Sequence, residues 1–453
     1  MRHLPPGRMT PQTIDRPSPK QAPDGEPSLW SPPLPSAPHR SWCTDCGVSR
    51  TQDPKRCGQA CQFIAPDYPA LEQKVHGRQR HGSDDHATLS DEQFFGPHQR
   101  LLQAWLTPAR VGAQWSGITT RLAEILLERG EVDAVITMTA DPGDRWRPRP
   151  VIVTRSSDLA ACRGMRMGYA PLVALIEPAL AQGHKRLAVV AIPCQTYALR
   201  SLQDTWEKEW GLEKLLVIGI PCSDNTTTER FHEFLALVDP TPEEVTYLEF
   251  RADYQVEIRK RSGQVRTIPF LQLPLSQLPG DFFPDTCRTC VDYTNALSDL
   301  TVGYMGGSGE QWLIVRNDRG QSLLSLLEPE IRVAPPRSAG QRQGAVRGFI
   351  QNLQRSAGGL PLRRMPQWLR PLVGWLMPRL GPRGLEFARA RVQMKAAETV
   401  VHLRRDHAAR IRYMVPGHVW TLLREYGMEA SHRERRADAT DGSGRGPQNV
   451  NLY

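Results

Sequence analysis

The sequence predicts an α/β protein: a mainly parallel or mixed sheet with helices, a four-cysteine module ahead of it and a basic helical region behind. Three observations carry this. A helix, turn, strand order recurs three times between residues 117 and 222, three later runs have period two, and cysteine and arginine are unevenly placed along the 453 residues.

Residues 1–40 hold eleven prolines and few large apolar side chains, too little burial to offset chain entropy, so a disordered tail is expected there and again over 433–453. Between the tails, 41–100 reads as the cysteine module, 101–330 as the α/β core and 331–432 as the basic helical region. In the core, "GITTRLAEILLERG" (117–130) has Leu and Ile at helical spacing and stops at Gly130, and "VDAVITM" (132–138) follows as a strand. "APLVALIEPALAQG" (170–183) then "KRLAVVAIPC" (185–194), and "TYALRSLQDTWEKEW" (196–210) then "KLLVIGIPC" (214–222), repeat that order. Continuous apolar strands between helices signal crossovers onto parallel strands buried on both faces. "VTYLEFRA", "QVEIRK" and "QVRTIPF" alternate instead, which predicts a smaller antiparallel section. In "LEFARARVQMKAAETVVHLRR" (385–405), Leu385, Ala388, Val392, Met394 or Lys395, Ala396 and Val400 trace one helix face.

The formal net charge is +9, and between Arg332 and Arg412 seventeen Lys or Arg face three acids, so the basic character belongs to the C-terminal quarter. No window approaches 18 uninterrupted apolar residues, so no transmembrane helix is expected. The start, "MRHLPPGRMTPQTIDRPSPK", lacks the apolar core of a signal peptide and is unlike a transit peptide, so a cytoplasmic location is expected. In that reducing compartment, nine cysteines point to metal or redox chemistry rather than to disulfides.

Cys43, Cys46, Cys57 and Cys61 are spaced C-x2-C-x10-C-x3-C. Four thiolates this close enclose either zinc or a four-iron cluster, and spacing leaves both open. Two facts lean toward iron. Arg50, Lys55 and Arg56 would offset the negative charge of a thiolate-held cluster, and a second cysteine set exists that a structural zinc ribbon would not explain. Cys194 and Cys222 each close an apolar strand in "IPC", at the carboxyl ends where α/β sheets place their sites, and Cys287 and Cys290 form "CRTC". The bland alternative makes Cys194 and Cys222 small buried apolar residues. Cys162 reads as a buried thiol without a partner.

Glycine-bearing turns are the other candidates. "GAQWSGITT" (112–120) precedes a helix, where backbone amides and the hydroxyls of Ser116, Thr119 and Thr120 would meet a phosphate or simply cap the helix. "GYMGGSGEQW" (303–312) would let backbone approach a flat ligand. Neither is a G-x-G-x-x-G or P-loop fingerprint.

These stretches together, with "CRGMRMGYAP", "AIPCQTYALR", "GIPCSDNTT", "YLEFRADY", "TCRTCVDYTN" and "VGYMGGSGEQW", span about residues 42 to 317, and "PLRRMP" and "GPRGLEFARARVQMKA" lie beyond. The chain resembles the β-subunit family of deazaflavin-coenzyme-reducing hydrogenases. Within it, the likeness is to the ferredoxin-dependent divinyl chlorophyllide 8-vinyl reductases and their relatives, the 7-hydroxymethyl chlorophyll a reductases. The resemblance implies FAD and two 4Fe-4S clusters fed by reduced ferredoxin. The first iron-sulfur cluster would be held by Cys43, Cys46, Cys57 and Cys61, and the second by Cys222, Cys287 and Cys290 with Cys194 as the fourth ligand. FAD would be contacted by Gly112, Gln114, Ser116, Gly117, Thr119 and Thr120, by Arg163, Met165 and Arg166, by Asn225, and by Met305, Gly306 and Gly307. Saturating a vinyl group takes two electrons and two protons, and Asp253, Tyr254, Asp292 and Tyr293 are proton-donor candidates by residue type alone.

The expected partners are reduced ferredoxin, a tetrapyrrole substrate, a photosynthetic membrane touched peripherally, and a second copy of the chain; nucleic acid is not expected. The basic region would steer an acidic ferredoxin, or meet a membrane through "PQWLRPLVGWLMPRLG" (366–381), or form a solvated face. A rival reading from another class is a zinc-ribbon nucleic-acid-binding protein, which the distance between the basic region and the cysteine module disfavours.

Overall fold

The protein is described by a computed structural model over residues 29–36, 42–64, 66–81, 89–251, 253–303, 310–356 and 365–435. Most of both tails lies outside these residues, as do Met305, Gly306 and Gly307.

The strands are β1 (Leu29–Trp30), β2 (Arg100–Leu106), β3 (Ala134–Asp141), β4 (Asp144–Val153), β5 (Arg186–Ala191), β6 (Lys214–Gly219), β7 (Val245–Phe250), β8 (Gln255–Lys260), β9 (Val265–Pro269), β10 (Leu300–Gly303), β11 (Gln311–Val315) and β12 (Ile331–Ala334). Nine of them form one sheet in the order β1-β4-β3-β5-β6-β10-β11-β2-β12. Its centre, β3, β5, β6 and β10, is parallel, and both margins are antiparallel. The sheet is therefore mixed, with the parallel part where the apolar runs lie. Alternate residues face opposite cores: Ile136, Val189 and Val217 pack with Trp206 on one side, and Val135, Ala188 and Leu216 with Leu122 and Ile125 on the other. The period-two runs form a separate antiparallel sheet, β7-β8-β9.

The helices are α1 (Tyr68–His76), α2 (Asp91–Phe95), α3 (Ile118–Glu128), α4 (Ile176–Ala181), α5 (Pro193–Trp210), α6 (Thr228–Val238), α7 (Asp285–Arg288), α8 (Asp318–Leu327), α9 (Arg342–Arg355), α10 (Leu369–Leu380) and α11 (Leu385–Asp406). Several expectations shift. Leu29 and Trp30, inside the stretch expected to be disordered to residue 40, pair with Val153 and Ile152 at the sheet edge. Strand β12, in the region read as helical from 331, pairs with β2 and completes the opposite edge. Cys194 does not end a strand: β5 stops at Ala191, and Pro193 opens α5, because proline at the first helical position loses no hydrogen bond. Nor does α11 have a single apolar face. It is buried nearly all round and encloses Gln393, Lys395, Glu398, Thr399 and His402, so its polar groups are spent on internal bonds.

Candidate functional site

The carboxyl edge of the parallel strands gathers the cysteines. Cys194 sits in the first turn of α5 and Cys222 three residues beyond β6, while Cys287 and Cys290 come from and just after α7. The last pair is brought in by Asn295, whose side-chain amide donates to the Ala191 and Ile220 carbonyls at the ends of β5 and β6 (2.7 and 3.3 Å), and by the Cys222 amide donating to the Tyr293 carbonyl (3.0 Å). Gly219 permits this approach, since a Cβ there would lie 2.6 Å from the Ser298 side chain. Cys194, Cys222, Cys287 and Cys290 line one cavity together with Thr44, Gln62 and Tyr169.

The first quartet docks against that cavity. Gly47, at φ +115, passes so close to the backbone of residues 171–174 that a Cβ would lie 2.5 Å from the Ala174 nitrogen, and the Cys46 carbonyl accepts from the Val173 amide at 3.1 Å. Burial pushes the Cys46 thiol well up, and its thiol neighbours Cys61, Cys194 and Cys57 add to the rise. Cys194 is raised by burial and then by Cys222, Cys290 and Cys287. The two quartets thus meet at Cys46 and Cys194. Burial likewise lifts Cys287 to about 12 and Cys290 to about 11.

Eight thiols in two sets of four offer the all-sulfur donor set that iron-sulfur clusters take. Buried thiols that resist ionisation also need a cationic centre to hold them as thiolates. Lys395 is buried and bonds Asp224 and Glu398; Asp224 raises the Cys222, Cys287 and Cys290 thiols and Lys395 lowers them. Sequence reading placed Lys395 only as an alternative to Met394 on a helix face; its partner Asp224 lies 171 residues away.

Asp285, His402 and His407 do converge, with donor atoms within 4.8 Å of one another. His402 Nε2 and His407 Nε2 lie 3.1 and 3.3 Å from the Asp285 carboxylate, Arg405 approaches His402 Nδ1 at 3.0 Å, and burial and then Arg288 lower the His402 pKa. The cluster ties α7 to the C-terminal end of α11 through hydrogen bonds to the Asp285 carboxylate. Neither histidine was singled out from sequence.

Among the described residues assigned to FAD, contacts link the loop before α3 to the 162–168 segment and that segment, through Asn225, to the second quartet. Gly112 and Gln114 lie in the loop before α3 and Thr119 and Thr120 in its first turn. Ser116 and the Ile118 amide both donate to Gln311 Oε1 (2.8 and 3.0 Å), and Gly117 at φ +87 opens the helix. Arg163 Nη1 reaches the Val111 carbonyl at 3.2 Å, joining the 162–168 segment to that loop. At its other end Asn225 clasps Gly168, donating to its carbonyl at 2.8 Å. Asn225 also lines the cysteine cavity, while Met165 packs against the core beneath β7-β8-β9. The buried Nε atoms of Arg110, Arg149, Arg163 and Arg166 have no hydrogen-bond partner. The Arg110 and Arg163 guanidinium groups pair with Glu124 of α3, and Arg166 has no ion pair among the described residues, which fits an anionic pyrophosphate as its partner.

The proton-donor candidates each have partners within the chain, and Asp292 and Tyr293 adjoin the second quartet. Asp253 accepts from Arg251 and the Gln255 amide; Asp292 is buried and accepts from the Ala296 amide; the Tyr254 hydroxyl donates to the Pro382 carbonyl at 2.6 Å; Tyr293 is buried beneath Arg391. Tyr169 lines the cavity and was not singled out; its pKa is raised by burial and by Cys287, Cys194 and Cys43, which sets it between the quartets. Cys162 is pushed up to about 12 by burial.

A mixed α/β sheet whose carboxyl edge collects two quartets of thiols, Cys57 and Cys287 buried and the others partly so, is the frame of an oxidoreductase. Comparison with known proteins gives the lineage. The N-terminal part of the coenzyme F420 hydrogenase/dehydrogenase β subunit matches residues 101–177 and its C-terminal part residues 184–337. The chain belongs to this family. It is 33% identical to 7-hydroxymethyl chlorophyll a reductase, chloroplastic, of Oryza sativa, over 87% of this chain and 84% of that one. It is also 33% identical to an uncharacterized protein of Nostoc sp., over 86% and 94%, and 29% identical to the coenzyme F420 hydrogenase subunit beta of Methanothermobacter thermautotrophicus, over 51% and 81%. A solved F420-reducing [NiFe] hydrogenase complex from Methanosarcina barkeri aligns with TM-score 0.48 and 20% identity, over 55% of this chain and 85% of that one.

Proposed function

We propose that the protein reduces the 8-vinyl group of divinyl chlorophyllide or protochlorophyllide to ethyl, with reduced ferredoxin as donor. The observation that carries the reading is the junction of two thiol quartets at Cys46 and Cys194, beside an arginine-rich loop region. The clusters, when bound, pass single electrons, and FAD pairs them for a two-electron reduction; two protons complete the ethyl group. Cys43, Cys46, Cys57 and Cys61 would hold one cluster and Cys194, Cys222, Cys287 and Cys290 the other. Arg163, Arg166 and the loop before α3 would hold the FAD phosphates, with Asn225 fixing the 162–168 segment against the second quartet. Lys395 keeps positive charge beside that quartet. The identity with the rice reductase supports a tetrapyrrole substrate.

Ferredoxin would approach the first quartet. Arg410 lies over the Trp42 ring at 4.0 Å, next to Cys43, and is influenced by Cys61. The basic face is smaller than the sequence count suggests, since Arg342, Arg389, Lys395 and Arg404 are spent on Glu386, Asp91, Asp224 and Glu434. Turnover should still fall with ionic strength.

The deciding experiment supplies anaerobically reconstituted protein with ferredoxin, a reductant and divinyl chlorophyllide or protochlorophyllide, and follows the monovinyl product. Absence of product with all cofactors in place would refute the reading. The same assay with 7-hydroxymethyl chlorophyll a tests the second reading, which the rice relative favours.

A further inference from the structure

Large apolar side chains scattered singly on a surface need no explanation, but here they are concentrated. Trp368, Leu372, Trp375 and Leu380 are 77%, 52%, 55% and 70% exposed, and all lie in or next to α10. At helical spacing Trp368, Leu372, Trp375 and Arg379 share one face. The Arg379 guanidinium covers the Trp375 ring at 4.3 Å while donating to the Trp375 carbonyl at 2.7 Å. The back of the helix is seated on the protein: Gly374 faces Leu271 and Pro269, Gly381 faces the Tyr254 hydroxyl, and Arg370 is buried.

Along the chain, the charge flanking this stripe has one sign. From Ile331 to Leu385 there is no acidic residue and there are ten arginines. A protein-docking face would carry a polar rim with donors and acceptors of both kinds. Around the stripe, "PQWLRPLVGWLMPRLG" offers Gln367 alone as an uncharged polar side chain. Tryptophan and leucine beside arginines match the headgroup boundary of an anionic bilayer. A helix of 12 residues is about 18 Å long, short of the roughly 30 Å hydrocarbon core, so it would lie in the plane of the surface.

We propose that α10 with Trp368 is a membrane-surface anchor that docks this protein on anionic bilayers, with Trp368, Leu372 and Trp375 inserted at headgroup depth and arginines on the lipid phosphates. The inference does not depend on the reaction assigned above and is read without turnover. Full-length protein is pelleted with vesicles of phosphatidylcholine alone or mixed with phosphatidylglycerol, at low and high salt, beside a triple variant, Trp368→Ser, Leu372→Ser and Trp375→Ser. The expected result is binding to the anionic vesicles that weakens with salt and falls at least about tenfold in the variant, with circular dichroism and thermal midpoint unchanged because these side chains are exposed. Three results would overturn the proposal: no binding to anionic vesicles, a variant that binds as well as the parent, or absent vesicle binding with a parent oligomer that the variant breaks, which would make a second copy of the chain the occupant.

Discussion

Arg166 offers the sharpest test of the flavin assignment. Its Nη atoms donate only to nearby backbone carbonyls, of Met165 at 2.8 Å and Arg163 at 3.1 Å, and its buried Nε has no partner. Burial and then Arg145 lower its pKa, so among its charged neighbours the leading influence is repulsive. In the flavin-free protein this cation is a cost that a bound diphosphate would relieve. A charge-assisted hydrogen bond to phosphate is worth about 1.5–3 kcal/mol. Arg166→Met should therefore raise the FAD dissociation constant roughly 10- to 150-fold at about 1.4 kcal/mol per tenfold. The same substitution should leave the unfolding midpoint of the flavin-free protein unchanged or slightly higher, because it removes an uncompensated buried charge. Arg166→Lys, which keeps charge but loses the fork, should fall between. Titration of flavin-free protein by FAD fluorescence quenching measures all three. An Arg166→Met protein that binds FAD within about twofold of the parent would refute the phosphate role, and one that loses binding only because it unfolds would show up in the midpoint.

Cys57→Ala should abolish ferredoxin-driven turnover while FAD stays bound, measured by activity and flavin content on the same preparation; full activity would remove the relay reading. His76 donates through Nε2 to the Ala296 carbonyl and lies within bonding distance of the Asn317 amide, and burial, then Arg316, hold its pKa at about 3. The unfolded chain takes up a proton below pH about 6.5 that the folded chain refuses, so stability falls with acidification from there toward pH about 3, by up to about 1.4 kcal/mol per unit from this residue. His76→Gln should flatten that slope by about one proton in urea unfolding followed across the range. Asp299 is fully buried and accepts from Arg200, Arg319, Asn317 and the Val217 amide. Asp299→Asn strands the buried Arg200 guanidinium and should cost about 3–5 kcal/mol by urea denaturation.

The alternation of 117–222 was legible because parallel strands buried on both faces read as apolar runs, and β3, β5 and β6 lie where those runs lie. Strand β4 was not, since Pro148 and Pro150 interrupt its pattern and its partner β3 supplies the missing order through pairing. Strands β2, β10, β11 and β12 were missed for a related reason. Strand β2 pairs with β11 and β12 across some 200 residues, as in Gln311 opposite Ala104, which no local window contains, and β10 joins through β11 and, in parallel, through β6. The C-x2-C, C-x3-C and second C-x2-C spacings of the cysteines are local and were legible in the sequence. Their meeting at Cys46 and Cys194 was not, because it depends on how the Gly47 turn packs against residues 171–174. The burial of polar positions inside α11 was not legible for the same reason: Gln393 bonds the Leu422 carbonyl and Lys395 bonds Asp224, 29 and 171 residues away.

That turn also constrains how any relay could work. Gly47 touches backbone atoms of residues 171–174, and the adjoining Leu172–Leu175 turn is buried in the core that carries Val189 and Val217 of β5 and β6. The first quartet is thus fixed to the same rigid layer that positions Cys194 and Cys222, rather than hung on a mobile loop. On the proposed reading, the spacing between the two clusters is a property of the sheet, and transfer between them requires no domain closure. The second quartet is in turn joined to the flavin region through Asn225, which lines the cavity and clasps Gly168. The parts therefore follow one another in a line: Trp42 and Arg410 by the first quartet, then Cys46 against Cys194, then Asn225 and the arginines around Arg166. A linear arrangement makes the effects of Cys57→Ala and Arg166→Met separable, since one removes entry and leaves flavin bound while the other removes flavin and leaves entry intact. If ferredoxin still reduced the clusters in Arg166→Met but not in Cys57→Ala, that order would be supported; reduction lost in both would mean that electrons enter nearer the flavin.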